Sequence, residues 1–160
     1  MEQQEYRAQG LYFEDMRIGD RMSSPGRTVT EADVVMFSGL SGDWHEVHSD
    51  AEAARNSLFG QRVAHGVLGL SIATGLAGRM PGLAGAVQSF IGLDWRFKKP
   101  IFLGDTIHVQ AEVSKKRPVK ALGGGFVVLK MVIMKQDDQV VQEGEWIVLF
   151  RGRPDGRQQA

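Results

Sequence analysis

The chain contains no cysteine. That excludes a thiol nucleophile, a disulfide framework and a cysteine-ligated metal, and it is compatible with a cytoplasmic setting. No sign of charge predominates: 19 Lys+Arg stand against 19 Asp+Glu. There is thus no overall basic field to hold nucleic acid. Long hydrophobic runs are missing as well. The most apolar stretch, Val67 to Ala77, is roughly half Gly, Ala, Ser and Thr and falls short of the ~20 residues a membrane-spanning helix needs. The opening segment MEQQEYRAQGLYFED has no basic stretch followed by an apolar run, so no secretory signal is expected. Internal repeats and low-complexity tracts are also lacking. What is present is a chain of 160 residues, 42% apolar and 24% charged, which fits one globular domain over residues 1–160. A domain of this size buries roughly 70% of its unfolded surface and needs no staple.

Periodicity divides the chain in two. After a short opening strand, the first half is helical. Thr30 is a candidate N-cap, with Asp33 three residues on, for a helix through Val34, Val35 and Phe37 that Gly39 and Gly42 break. Ser49 and Glu52 form a capping-box pattern for a second helix from Asp50 to about Ser57. A third helix is expected from about His65 to Arg79, ended by Met80-Pro81-Gly82. It is apolar or small on every face and should be surrounded by protein. Its four glycines, Gly66, Gly69, Gly75 and Gly78, each cost about 1 kcal/mol at an interior position relative to alanine. Close approach of a sheet is the simplest compensation. The second half reads as strands over Ala86–Phe97, Asp105–Lys115, Gly124–Gln136 and Gln139–Phe150. Asp137-Asp138 makes a tight hairpin turn, and Gly123-Gly124-Gly125 a mobile link or bulge. The polar ends, Met1–Gly10 and Arg151–Ala160, are expected to fray. The fold class is α+β: a long-stranded antiparallel sheet, strongly curved, wrapped around one central buried helix.

The densest polar cluster, Ser41 to Asp50, lies between the first two helices. Asp43 and His48 are five apart, so a bend lets them converge on one point. A carboxylate and an imidazole near neutrality can divide acid–base work. Equally, Asp43 could be a turn residue and His48 a polar group at a helix start. His45-x-x-His48 with Asp43 resembles a small metal set, but a helix beginning after them would not bring the two histidines together. His45 alone is then exposed or supports its neighbours. At Ala64-His65-Gly66-Val67, the first helix amides have no internal partners. A free Gly66 amide there could polarise a carbonyl, or the segment could be a plain cap with a satisfied His65. Ser71 and Thr74 on the same helix either line the pocket or bond back to helix carbonyls. Lys98, Lys99, Lys115, Lys116, Arg117 and Lys120 could bind phosphates or be solvated strand ends.

Three motifs in order carry a resemblance that covers about Phe13 to Phe150. They are Phe37 to Asp50 with Gly42-Asp43 and His48, Val63-Ala64-His65-Gly66-Val67-Leu68, and Phe97-Lys98-Lys99-Pro100-Ile101-Phe102-Leu103-Gly104-Asp105. On these the sequence resembles the MaoC-like, (R)-specific enoyl-CoA hydratase family, which adopts the hot-dog fold. The resemblance implies a hydro-lyase that adds water to a 2-enoyl-CoA thioester and gives the (R)-3-hydroxyacyl-CoA. Asp43 would hold and deprotonate water, His48 would deliver or remove the α-proton, and the Gly66 amide would bind the thioester oxygen. His65, His45, Ser71 and Thr74 would lie around the substrate, Thr74 standing where some relatives carry serine. It also implies no cofactor beyond the coenzyme A thioester substrate, no metal, no nucleic-acid or membrane partner, and a homodimer or higher oligomer with sheets joined edge to edge. One departure is clear: His45-Glu46 replace the family's Asn-Pro. Two rivals keep the fold: a thioesterase that drives water onto the carbonyl, and a non-catalytic acyl-CoA-binding subunit.

Overall fold

Burial alternates along two central strands of the sheet. The computed structural model describes residues 11–154. Residues 1–10 and 155–160, expected to fray, lie outside them; Arg151 instead ends a strand, and the Arg153 amide donates to Glu14. The opening strand is two short pieces, β1 (Arg21–Ser23) and β2 (Arg27–Thr28). The long strands are β3 (Val87–Phe97), β4 (Thr106–Val119), β5 (Gly124–Lys135) and β6 (Val140–Arg151). They pair antiparallel in the order β1-β4-β5-β6-β3, with β2 also on β4. Ile107, Val109, Ala111 and Val113 of β4 alternate inward, as do Val127, Leu129, Met131 and Ile133 of β5.

Strand β4 runs past its expected end at Lys115. A register shift between Val113 and Lys115 absorbs one residue, and pairing with β5 then continues to Val119 opposite Gly124. Pro118 is tolerated because, among the described residues, β1 and β2 pair only with earlier residues of β4 and no strand pairs with its other side. The glycines at 123–125 form no mobile link. Gly123 ends the turn with φ +58°, and a Cβ on Gly125 would lie 2.5 Å from the Arg117 carbonyl, so the strands are in close contact there. Asp138, with φ +60°, makes the tight β5–β6 turn as expected.

The helices are α1 (Glu31–Ser41), α2 (Glu46–Ser49), α3 (Ala51–Arg55) and α4 (Gly66–Ala77). Thr30 and Asp33 form a reciprocal capping box at α1. Burial pushes the Asp33 carboxyl up, but the Thr30 amide and hydroxyl and the Arg27 guanidinium outweigh it and hold the group below its ordinary value. Gly39 lies inside α1 and does not break it; Gly42 ends it in the left-handed conformation, φ +77°. The expected Ser49–Glu52 capping box is not formed. Asp50 caps α3 by accepting from the Glu52 and Ala53 amides, while the Ser49 hydroxyl turns back to the Trp44 and His45 carbonyls.

Helix α4 packs Leu68, Gly69, Ile72, Ala73, Leu76 and Ala77 against the sheet. It is not buried on every face within this chain. Val67 is 54% exposed, and Ser71, Thr74 and Gly75 are exposed along the same side. Strand β3 is a second uncovered feature. Its only described partner is β6, and Phe90, Ile91 and Leu93 on it are exposed.

Candidate active site

The site is assembled where the α1–α2 turn meets the start of α4. Gly42 reverses the chain after α1 and delivers Asp43. The Ser41 hydroxyl donates to the Phe37 carbonyl and accepts from the Asp43 amide, which fixes that turn. Asp43 Oδ1 accepts from the His45 amide at 3.2 Å. His45 is the N-cap of α2, its Nδ1 accepting from the Val47 amide at 3.3 Å. Between Asp43 and His48, Trp44 and His45 are irregular as expected, and a short helical turn begins only at Glu46.

His48 sits on α2 with its ring clamped. Nδ1 lies 2.8 Å from the Val63 carbonyl. A carbonyl only accepts, so Nδ1 carries the proton and Nε2 presents a lone pair. Val63 is held in turn by its amide bond to the Val47 carbonyl and by its bridge to Phe102. Arg62 donates to the His48 carbonyl and pairs with Glu31 at the start of α1. Burial, above all, lowers the His48 pKa from its ordinary 6.5. His65 and His45 act in the same direction, against the Val63 carbonyl and Asp43. The imidazole is thus neutral near pH 7.

His65 serves the scaffold. It is 3% exposed, stacks on His48 with ring centroids 3.8 Å apart, and rests against Phe37 at 4.9 Å. Its Nε2 donates to the Asp43 carbonyl at 3.0 Å and lies 3.3 Å from the Ser38 hydroxyl. It thereby ties the Asp43 turn to α4, and it does not line the cleft. This corrects its expected place beside the substrate.

Asp43, His48 and His65 each offer a ligand-type atom within 4.8 Å of one another. The expected set contained His45 instead, but its Nδ1 serves the Val47 amide. The trio is poorly shaped for a metal. The two rings lie face to face, 29° from parallel, so their in-plane lone pairs do not converge. With His48 Nδ1 and His65 Nε2 on carbonyls, the nitrogens left over are His48 Nε2 and His65 Nδ1, on separate, nearly parallel rings.

A cleft of about 590 Å³ opens over Asp43, His45, His48, Gly66, Phe97 and Lys99. Gly66 is the first residue of α4, and its N–H has no acceptor among the described residues. A Cβ there would lie 2.9 Å from the Phe97 ring, so a larger residue would have to displace that ring from the cleft wall. Ser71 and Thr74 are not part of this cleft. Their hydroxyls donate to the Val67 and Ser71 carbonyls on the exposed side of α4. Of the basic residues, Lys98 and Lys99 line the cleft, with Lys98 paired to Glu143. Lys115, Lys116 and Arg117 line a separate one with Ile91 and Phe126. The Lys116 amine lies over the Phe13 ring. The Lys120 side chain lies outside the described residues.

Several residues that shape the site carried no signal on their own. Ser38, Arg62 and Gln142 act through backbone or ring contacts made across the fold. Gln142 could have been noticed as a polar residue on the inward phase of β6. Asp105, the last residue of the third motif, is buried; it accepts from the Phe102 amide and from the exposed Gln136, and pairs with the buried Lys135. Burial raises its pKa, yet those partners pull it below the ordinary value. The pair braces the loop whose Ile101 carbonyl holds the Ala64 amide.

Comparison with known proteins identifies the family. The MaoC like domain family matches residues 15–132. The chain is 32% identical over 143 residues to an (R)-specific enoyl-CoA hydratase of Rhodospirillum rubrum, covering 89% of this chain and 93% of that protein. It is 43% identical over 108 residues to Protein MaoC of Klebsiella aerogenes, covering 66% of this chain but spanning only 31% of that protein's length. The crystal structure of a MaoC-like dehydratase from Rhodospirillum rubrum superposes with TM-score 0.83 at 31% identity, over 91% of this chain and all of that one (100%). For the fold alone, a Mycobacterium tuberculosis protein with a double hot-dog fold aligns with TM-score 0.80 at 21% identity, over 91% of this chain and 46% of that one. Among the described residues no helix is long and apolar enough to cross a membrane. A clamped neutral imidazole, a carboxylate beside it and an open helix-start amide thus occur in a chain that belongs to the MaoC-like family of hot-dog hydratases and dehydratases, which are hydro-lyases.

Proposed function

We propose that the protein adds water reversibly across the double bond of a 2-enoyl-CoA thioester, giving the (R)-3-hydroxyacyl-CoA. The observation that carries this reading is the His48 clamp: Nδ1 lies 2.8 Å from the Val63 carbonyl, which leaves Nε2 as the free nitrogen of a ring that lines the cleft together with Asp43. Asp43 holds the water. His48 Nε2 accepts one of its protons as the oxygen bonds to the β-carbon. The resulting enolate oxygen is stabilised by the Gly66 N–H. The proton on Nε2 then passes to the α-carbon, so one water is added and the imidazole is regenerated. This ordering gives the water proton to His48, because its free nitrogen starts as a lone pair with no proton to deliver.

The names of the relatives support the substrate class and the stereochemistry, and Lys99 at the cleft supports a phosphate-bearing handle. The uncovered β3 edge supports a homodimer, since an exposed apolar strand edge is a template for pairing with another chain. Incubation with crotonyl-CoA tests the reaction. Loss of the conjugated thioester absorbance without thiol release, followed by chiral analysis of the product, is the expected result. Thiol release would instead make the protein a thioesterase. Tight binding without turnover across short, long, branched and dicarboxylic enoyl-CoAs would make it a binding subunit.

A further inference from the structure

Gln142 is a buried polar residue that the acid–base chemistry above does not use. It lies on β6, 1% exposed, with its side chain toward α4 and the cleft. Both ends of its amide are engaged. Its Oε1 accepts from Trp95 Nε1 on β3 at 2.9 Å. Its Nε2 donates to the carbonyl of Gly66 at 3.0 Å. The bond from Trp95 also fixes which end of the amide faces the helix, because an indole N–H only donates.

The carbonyl and the N–H of Gly66 belong to the two peptide planes that flank one α-carbon. A Cβ at this position would crowd the Phe97 ring and push it aside, and the glycine that stands here has the freest backbone of any residue. The plane that carries the Gly66 N–H is held through its other end, where the His65 carbonyl accepts from the Gly69 amide at 3.2 Å, and the glycine α-carbon is the joint between this plane and the next. Gln142 adds a restraint on the second plane from outside the helix by holding the Gly66 carbonyl, and the Phe97 ring stands on the side where a Cβ would lie. Helix α4 makes room for this arrangement one turn later. A Cβ on Gly69 would lie 2.4 Å from Gln142 Nε2 and 2.7 Å from Ile101 Cδ1. Gly69 thus admits the side chain that Gly66 needs.

We propose that Gln142 is a positioning residue: braced by Trp95, it aims the Gly66 N–H at the thioester oxygen of the substrate. The inference rests on the hydratase reading of the cleft. It predicts that Gln142 acts on the rate of the chemical step more than on substrate capture, because orientation of an oxyanion donor is felt where charge develops.

The test combines three variants with one measurement on the unaltered protein. Gln142→Met keeps the bulk and removes both hydrogen bonds. Gln142→Glu keeps the acceptor for Trp95, but as a carboxylate it cannot donate to Gly66. Trp95→Phe removes only the brace. For folded Gln142→Met and Gln142→Glu, kcat should fall at least ~10-fold while KM moves less than ~3-fold, and Trp95→Phe should lie between these and wild type. Amide hydrogen exchange in the first turn of α4 should quicken at least ~10-fold in Gln142→Met, at protection elsewhere unchanged. In the wild-type protein, addition of the saturated analogue butyryl-CoA should shift both the Gly66 amide and the Gln142 side-chain amide in a 15N–1H spectrum, and this requires no variant to fold. A kcat in folded Gln142→Met within twofold of wild type, a loss confined to KM, or a Gln142 amide blind to butyryl-CoA would overturn the inference. Absence of enoyl-thioester turnover by the wild-type protein would overturn the hydratase reading instead, and the exchange measurement would still report whether Gln142 holds Gly66.

Discussion

The two ends of helix α4 are built from the same residue types and do opposite things. At the N-terminal end, Gly66 and Gly69 are pressed against Phe97, Gln142 and Ile101, and the cleft opens beside them. At the C-terminal end, a Cβ on Gly75 would meet nothing within 4 Å, and at Gly78 only ordinary contacts at 3.4 Å or more. Ser71 and Thr74, between the two ends, bond their own helix. A small residue in a helix therefore has two distinct reasons here. One is close approach of a sheet at the functional end; the other is an uncovered surface at the far end.

The largest effect expected from breaking this asymmetry is at the functional end itself. Asp43→Asn and His48→Ala should each reduce turnover at least ~100-fold in a folded protein, checked by steady-state kinetics alongside circular dichroism. Near-normal rates in both would detach the cleft from the reaction.

Next in size is Gly69→Ala. Its Cβ has no room beside Gln142 and Ile101, so overpacking should cost about 1–3 kcal/mol in a denaturant titration. Gly75→Ala is the matched control. With open space and better helix propensity it should gain up to about 1 kcal/mol. A loss at Gly75 would mean that another surface covers that face in solution.

A pH profile sharpens the contrast further. Burial, chiefly, with His65 and His45, keeps the folded His48 pKa below 6.5, against the Val63 carbonyl and Asp43. The unfolded chain binds this proton more readily than the folded one. Stability from this group is therefore complete above about pH 6.5 and declines as pH falls through the lowered folded value. The acid limb of kcat/KM should accordingly have its midpoint below 6.5. A midpoint at or above that value would contradict a desolvated base.

The smallest expected effects lie at the far end. Ser71→Ala and Thr74→Val should each change stability by no more than about 0.5 kcal/mol, with kcat essentially unchanged. A marked fall in kcat for Thr74→Val would show that this end of α4 reaches a cleft after all, one completed by a second copy of the chain.

Much of this was legible in the chain. Thr30 and Asp33 cap α1 through a local pattern, and the long strands follow from runs rich in Val, Ile, Phe and Trp, with alternation plain in β4. Asp43, His48 and Gly66 stood in motifs specific enough to bring the family with them, and they do meet at one cleft. What escaped the sequence depends on contacts between distant segments. Ser49 and Asp50 are adjacent and both able to cap; which one does so is settled by the carbonyls of Trp44 and His45, which draw Ser49 backward. The role of His65 depends on a carbonyl twenty-two positions away. The uncovered side of α4 could not be read from its composition, because an apolar stripe carries no record of which molecule covers it.

Strand β3 ties these observations together. Its Phe97 end forms a wall of the cleft against Gly66, and its Trp95 braces Gln142, while the opposite edge of the same strand has no described neighbour. Should that edge zip onto a second copy, as proposed, the strand would stiffen along its whole length, including the wall. Catalytic output per polypeptide would then depend on dilution, dropping at low concentration as the pairs dissociate and recovering on reconcentration.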